Sequence, residues 1–489
     1  MATYFSESFN LSEDVVEEHG AFNISLVTDL PLFIDPFLLF NSKRPEYQAL
    51  HDEIIRYLVF LRDKSRGAAV DPALLAAWYC FHEVKQTWLG FSRTDNRGSG
   101  LGMDFANALN ASLKDMFGDF GAERVTRGSH LEKVCLIREG IGRDNISDFT
   151  TNLIKGHLCG YTESFAQARL APDQRRSVAV RGASFNYDTE TWETRTYELP
   201  WWRGDYVILT PKDMLTRDEN WINRHDLVRS FEDIPTAIPD AQLRAQVENH
   251  FQRQLARHTR KGPTQRERDE AAARTIADFP QLIDYFIRLK ELRGDQAESL
   301  SSERVRLSEA LFVNQCRSLQ GLLAHATAFY GVSGSSYEEA HARLAYLKDV
   351  IENKGGHRLF YKDGEPIQRE ADLQVMYRLV WFGTPSDVSA EANDGRGPAD
   401  YKISRGASDK TIVEMKLAKN SRLKDNLLKQ AEIYKAASDA RNAIKVVLYF
   451  TITELQRVRA ILDEVGLTRH RDVVLIDARA DNKPSGSKA

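Results

Sequence analysis

The chain has 489 residues, of which 42% are hydrophobic and 28% charged, and its formal net charge is -4. These values are typical of a folded protein with two or three domains, and they exclude a uniformly basic nucleic-acid coat. The acidic N-terminus lacks the pattern of a signal peptide, and no apolar run is long enough to cross a membrane. We therefore predict a cytoplasmic protein without a membrane partner.

The first part of the chain, residues 1–240, mixes helical and strand patterns. Apolar residues recur at helical spacing in 45–64 and 72–88. Residues 176–209 instead predict short strands separated by turn residues, at 177–179, 183–187, 191–199 and 205–209. The pattern indicates an α+β domain with a role in recognition or regulation.

The middle part, residues 241–356, is rich in Arg, Gln, Glu and Ala, and Gly262 and Pro263 interrupt it. Amphipathic segments follow, and the last of them, 337–354, ends at Gly355 and Gly356, which favour the end of a helix. This part is predicted to be a helical connector or a helical domain.

The last part, residues 357–489, has the most regular pattern. Its helices are predicted at 367–382, 421–438 and 453–465. Its first strand is predicted at 386–393, and a second begins directly after Asp400. Further strands are predicted at 411–417, 444–452 and 473–478. The predicted order is α-β-β-β-α-β followed by α-β, so the overall class is α/β, with an α+β region at the N-terminus.

The strand TIVEMKL at 411–417 carries the most informative polar residues of the chain. Because side chains alternate along a strand, Glu414 and Lys416 share one face while Met415 and its apolar neighbours take the other. The short connection RGASDK joins this strand to the preceding one and predicts an antiparallel hairpin. The hairpin would bring Asp400 close to Glu414 and Lys416.

Two carboxylates and a lysine at one point suit metal-assisted hydrolysis of a phosphodiester. The carboxylates of Asp400 and Glu414 and the backbone carbonyl of Met415 offer oxygen ligands for Mg²⁺, with Mn²⁺ as a second candidate. Lys416 would orient or deprotonate the attacking water, or neutralise charge on the phosphate. The alternative is a solvated strand face with an ordinary ion pair.

GPAD at 397–400 followed by EMK at 414–416 resembles the PD-(D/E)XK nuclease superfamily, which includes restriction endonucleases. The resemblance covers the C-terminal domain, about a quarter of the chain, and departs in that Ala399 stands between Pro398 and Asp400. It implies a restriction-endonuclease-like αβββαβ core, with Asp400 and Glu414 as metal carboxylates and Lys416 as the catalytic lysine. The layout resembles that of bacterial restriction or anti-phage defence effectors, which implies a DNA endonuclease.

Two further residues fit the same resemblance. Glu370 stands at the start of the first predicted helix of this domain, where many superfamily members have a glutamate that adds a metal contact. The alternative is an acid favoured by the helix dipole. Gln430 lies on the apolar stripe of the helix after EMK, where many members carry a glutamine near the active site; the alternative is a glutamine at the edge of the stripe.

Positive side chains cluster around the motif and predict a surface that grips a phosphate backbone. The residues we expect there are Lys402, Arg405, Lys419, Arg422 and Lys424. An ordinary solvated face remains the alternative. DNA is preferred over RNA as the partner, and a second copy of the chain or a regulatory protein is a further candidate. A nuclease-like scaffold that binds nucleic acid without cutting it, and an RNA-directed nuclease, are the competing functions.

Overall fold

The fold is described from a computed structural model. The residues that it describes are 3–66, 70–90, 100–115, 120–137, 141–217, 219–255, 263–324, 334–362, 365–381, 386–393, 398–405, 409–430, 440 and 442–483. These residues form a mixed α/β structure with several small sheets. Within the same ranges, none of the helices combines the length and the apolar character needed to span a bilayer.

The N-terminal part is mainly helical, with two small sheets. Its helices are α1 Phe5–Ser8, α2 Glu13–Glu18, α3 Pro36–Asn41, α4 Pro45–Ser65, α5 Pro72–Tyr79, α6 Met103–Asp115, α7 Lys133–Ile137, α8 Arg143–Leu153, α9 Lys155–Arg169 and α10 Arg224–Arg229. Its strands are β1 Phe33–Ile34, β2 Arg175–Asn186, β3 Thr191–Trp202, β4 Asp205–Tyr206 and β5 Leu215–Thr216. One sheet pairs β1 with β5, and the other has the order β2-β3-β4.

Helix α4 confirms the helix predicted at 45–64. It begins at Pro45, whose fixed φ suits the first helical position, and it buries Ile54, Leu58 and Leu61 along one face. Helix α5 is shorter than the predicted 72–88, because the backbone turns to an extended conformation at Cys80. The apolar spacing therefore located both helices but overestimated the length of the second.

The prediction of four short strands in 176–209 was wrong about where the strands begin and end. The first two predicted strands are one strand, β2, whose pairing with β3 shifts register between Val180 and Ser184. Gly182 lies in this irregularity with a φ of +64°, a conformation that glycine adopts readily. The last predicted strand is only the two residues of β4. The prediction therefore interpreted an irregularity within one strand as a boundary between two strands.

The middle part consists of helices that pack on both neighbours. They are α11 Ala241–Leu255, α12 Gln265–Asp278, α13 Leu282–Leu292, α14 Gly294–Glu309, α15 Cys316–Ala324 and α16 Ser336–Asn353. A π-helical segment, Ala310–Gln315, joins α14 to α15. Helix α14 contacts β5 and α3, whereas α16 packs against the C-terminal part.

The C-terminal part follows the predicted order of elements. Its strands are β6 Tyr361–Lys362, β7 Glu365–Pro366, β8 Asp387–Asn393, β9 Pro398–Ser404, β10 Lys410–Leu417, β11 Asn442–Tyr449 and β12 Val473–Asp477. Its helices are α17 Glu370–Val380, α18 Leu423–Asp425 and α19 Ile452–Glu464. The helix predicted at 421–438 is described only to Gln430, as α18 and a π-helical segment, Asn426–Gln430.

Strands β8 to β12 form a five-stranded mixed sheet with the order β12-β11-β10-β9-β8. Strands β8, β9 and β10 are antiparallel neighbours, whereas β10, β11 and β12 run parallel. The predicted hairpin is confirmed: β9 pairs with β10 from Ser404 opposite Lys410 to Tyr401 opposite Val413. The ends of these two strands that carry Asp400 and Glu414 therefore lie side by side.

The two faces of β10 belong to different cores. Val413 and Met415 pack, with alternate residues of β11, into the large core that runs through all three parts of the chain. On the other face, Val447 of β11 packs into a smaller core with α18 and α19. Glu414 and Lys416 share this second face, and both are buried despite their charge.

Candidate active site

Glu414 and Lys416 form the centre of the candidate site. Their side chains are about nine-tenths or more buried, with exposed fractions of 5% and 9%, and Lys416 Nζ lies 3.4 Å from Glu414 Oε2. Alternation along β10 holds both side chains on one face of a rigid strand. Burying charges is costly, so a buried charged pair at a strand end is a candidate for function as well as structure.

Glu370 joins this pair from a distant part of the sequence. It is the first residue of α17, as predicted, and its Oε2 lies 3.6 Å from Lys416 Nζ. Asn420 Nδ2 donates a hydrogen bond to the other carboxylate oxygen at 2.5 Å. The Lys416 ammonium therefore stands between two carboxylates, and the carboxamide of Asn420 orients one of them.

Helix α17 is held in place by its apolar face. Leu373 and Tyr377 are buried at helical spacing from Glu370, and Tyr377 packs edge-on against Tyr401 of β9, with ring centroids 5.0 Å apart. Tyr401 also donates its hydroxyl to the carbonyl of Gln374. The residue that follows Asp400 thus ties β9 to the helix that carries Glu370.

The other predicted site residues are placed by their backbone. Asp400 lies in β9, directly before the pair of Tyr401 with Val413, and Gln430 ends the π-helical segment. The side chains of both lie outside the described residues, so their roles remain predictions. Met415 lies between Glu414 and Lys416 with its side chain in the core, and its carbonyl remains a predicted ligand.

Glu370 and Glu414 supply carboxylate oxygens, the type of donor that a hard divalent cation prefers. The carboxylates of Glu370 and Glu414 flank one ammonium group, so the geometry already places a positive charge between two anionic oxygen donors. Among the described side chains, no group of three or more His, Cys, Asp or Glu residues converges at one point. The predicted third carboxylate, that of Asp400, is not among those side chains.

The predicted basic surface divides into engaged and exposed residues. Arg405 forms an ion pair within the protein, since its Nη2 lies 2.6 Å from Oε2 of the buried Glu339. This ion pair does not favour a role of Arg405 in binding nucleic acid. Lys419 contacts Oε1 of Gln368, and Lys424 contacts Glu464. Arg422 is exposed and Lys402 is half-buried on β9. Arg422 and Lys424 are thus the two exposed cations among the five.

Burial shifts the pKa values of two groups that border the site. It lowers the pKa of Lys419, against the opposing effect of the Glu454 and Asp372 carboxylates. It also raises the pKa of Asp372, the third residue of α17, although the guanidinium groups of Arg217 and Arg369 act in the opposite direction. Asp372 in the first turn of α17 is thus poorly hydrated, and charges interact strongly there.

Two residues near the site were missed at the sequence level. Asn420 was overlooked because its contact with Glu370 joins segments that are distant in sequence. Lys445 is buried on β11 and pairs in register with Glu414, which adds a second lysine to the same face of the sheet. A lysine within the apolar run of 444–452 was a signal that could have identified it, since buried lysines are rare.

Two family models match the chain. Residues 10–223 match DUF8370 and residues 336–452 match DUF8371, each described as a domain of unknown function. No curated protein and no solved structure matches the chain. The second matched segment begins with the first residue of α16 and contains Glu370, Glu414 and Lys416. The candidate site therefore lies within one matched segment, and the match assigns it no activity.

Proposed function

We propose that the chain is a metal-dependent nuclease of the PD-(D/E)XK kind that hydrolyses DNA phosphodiester bonds. The observation that carries the proposal is the position of Lys416 Nζ, 3.4 Å from Glu414 and 3.6 Å from Glu370. The order of α17, β8, β9, β10 and β11, and the mixed pairing of these strands, support a restriction-endonuclease-like core. Glu414, Lys416 and Glu370 are also the residues that the resemblance implies.

Mg²⁺, or Mn²⁺ as a second candidate, would be held by carboxylate oxygens of Glu370, Glu414 and Asp400 and by the carbonyl of Met415. When bound, a divalent cation polarises the scissile phosphate and makes a water molecule more acidic. The protein supplies a rigid frame for these ligands, since Glu414 is fixed by β10 and Glu370 by the first turn of α17.

Lys416 has a separate part in the proposed reaction. Its ammonium, which lies beside Glu414 and Glu370, would donate hydrogen bonds to the attacking water or to a phosphate oxygen. An ammonium in a buried site stabilises developing negative charge more strongly than it would in water. Lys416 therefore contributes to the transition state more than to the binding of the substrate.

Exposed positive charge near the site supports a substrate with a phosphate backbone. Arg422 and Lys424 are exposed near α18 and would contact the phosphate backbone without reading bases. DNA remains the preferred substrate, and a bacterial restriction or anti-phage defence effector remains the proposed biological role. The N-terminal part would then recognise a target or control the nuclease.

Cleavage of supercoiled plasmid by the full chain tests the proposal, with Mg²⁺, with Mn²⁺ and with EDTA. We expect nicking that requires the metal and that falls at least about 100-fold in Lys416→Ala and Asp400→Ala, in line with the loss of a group that acts in the transition state. Lys354→Ala is the matched control, because Lys354 is exposed and pairs with Asp349 at 2.9 Å.

Three results would contradict the proposal in different ways. Plasmid binding without cleavage in either metal would support a nucleic-acid scaffold. Cleavage of RNA but not of DNA would change the substrate. Cleavage that persists in both Lys416→Ala and Asp400→Ala would move the active site elsewhere in the chain.

A further inference from the structure

A buried ion pair joins the N-terminal part of the chain to the helix that carries Glu370. Arg217 Nη2 contacts Oδ1 of Asp372, and the two side chains are each only 9% exposed. Arg217 lies within the first matched segment, 10–223, and Asp372 within the second, 336–452. The pair is therefore a contact between the two matched segments at the edge of the candidate site.

Arg217 is held by several elements besides Asp372. It directly follows β5, which pairs with β1, and its carbonyl accepts a hydrogen bond from Arg304 Nη1 of α14 at 3.2 Å. Its guanidinium carbon lies 5.0 Å from the ring centroid of Phe312 in the π-helical segment. These contacts fix the position of the guanidinium independently of its contact with α17.

Asp372 is two residues after Glu370 on the first turn of α17. Successive helical residues are rotated by about 100°, so the two side chains leave the helix on nearly opposite sides. Arg217 therefore holds this turn from the side away from Lys416 and does not fill the site. Any shift of the turn relative to Arg217 would also move Glu370 relative to Lys416.

The energetics of the pair favour orientation over net stability. Both side chains are about nine-tenths buried, so each charge loses most of its hydration when the pair forms. A buried ion pair of this kind contributes little net stability compared with an apolar pair of similar size. Its charge-assisted geometry nevertheless fixes the first turn of α17 relative to Arg217.

We propose that Arg217 is a positioning residue supplied by the N-terminal part, which holds the first turn of α17 through Asp372 so that Glu370 stays beside Lys416. This inference rests on the proposed nuclease function. The metal site is then complete only while the N-terminal part is docked on α17.

The test compares Arg217→Met with the wild type in the full chain, by Mg²⁺ titration of plasmid nicking and by Mn²⁺ binding measured with electron paramagnetic resonance. We expect Arg217→Met to raise the half-maximal Mg²⁺ concentration and the Mn²⁺ dissociation constant by about tenfold, as for other residues that support metal ligands. The maximal rate should recover at saturating metal. Arg217→Lys should restore part of the affinity, because it keeps the charge without the planar fork.

Arg317→Met is the matched control. Arg317 of α15 pairs with Glu7 of α1 at 2.7 Å, so this variant removes an ion pair between the middle part and the N-terminal part that does not involve Asp372. It should leave the metal dependence unchanged. If Arg217→Met does not fold, as judged by thermal unfolding, Asp372→Asn provides the same test with a nearly isosteric change.

The outcomes separate the two proposals. Wild-type cleavage with an unchanged metal dependence in Arg217→Met and Asp372→Asn would overturn the positioning role alone. An equal shift in Arg317→Met would also overturn it, because general loosening would then explain the effect. A wild type that binds Mn²⁺ without cleaving would overturn the nuclease, while the Mn²⁺ affinities still decide the role of Arg217. A wild type that neither binds nor cleaves would overturn both.

Discussion

Arg405 donates from Nη2 to Oε2 of Glu339 at 2.6 Å, and this contact ties the β9–β10 hairpin to helix α16. Glu339 also accepts from Arg343 Nε at 2.9 Å and from the hydroxyl of Ser386. Glu339 is fully buried, so its carboxylate is the common acceptor for two arginines from different elements. A residue that the sequence placed on a nucleic-acid surface is thus part of the internal support of the sheet.

Glu339→Gln should destabilise the C-terminal part. The change leaves Arg343 and Arg405 facing a neutral group in a buried environment, and breaking a buried ion pair costs about 3–5 kcal/mol. Urea denaturation measures the free energy of unfolding. Glu338→Gln is the control, since Glu338 pairs with Arg471 at the surface and should cost less than about 1 kcal/mol. Equal losses in the two variants would contradict the role of Glu339.

Glu370→Gln should weaken metal binding in the proposed nuclease. The amide keeps the shape of the side chain and its contact with Asn420 but removes one anionic ligand, so we expect about a tenfold higher half-maximal Mg²⁺ concentration. Glu365→Gln, a change of an exposed glutamate in β7, is the control. An unchanged Mg²⁺ dependence would contradict a role in metal binding and would favour the alternative, an acid at the helix N-terminus that interacts with the helix dipole.

Arg422→Ala should reduce the salt dependence of DNA binding. An exposed arginine that contacts one phosphate contributes about one unit to the slope of log affinity against log salt concentration. Lys424→Ala should change the slope less, because Lys424 already contacts Glu464. Fluorescence anisotropy with labelled duplex in EDTA measures both slopes. If neither slope changes, DNA approaches the site over another surface.

Asp148→Asn should remove a pH dependence from the stability of the N-terminal part. Burial, with the nearby carboxylates of Glu83 and Asp144, raises the pKa of Asp148 to about 7. The folded state therefore keeps a proton that the unfolded chain loses near pH 4, so this contribution is complete below pH 4 and is lost as pH rises towards 7. The slope is at most about 1.4 kcal/mol per pH unit.

Thermal unfolding between pH 4 and pH 8 measures this effect. Asp52→Asn in α4 is the control, because the Asp52 side chain is 85% exposed. We expect Asp148→Asn to be more stable than the wild type at pH 8 and similar to it at pH 4. A wild-type slope that survives in Asp148→Asn would assign the titration to another group.

The sequence by itself determined the elements around the candidate site. Alternation in 411–417 identified β10 and the shared face of Glu414 and Lys416, and the short connection predicted its antiparallel pairing with β9. Apolar periodicity placed Glu370 at the start of α17. These features depend on neighbours within one element or one turn, so the local pattern is sufficient to predict them.

Tertiary structure alone decided which distant residues meet. The contact of Glu370 with Lys416, the capture of Arg405 by Glu339 and the pairing of Arg217 with Asp372 each join separate elements. Such contacts depend on how helices pack on the sheet, and that packing is set by the whole core and not by any local period. For this reason the sequence could place charges on elements but could not assign their partners.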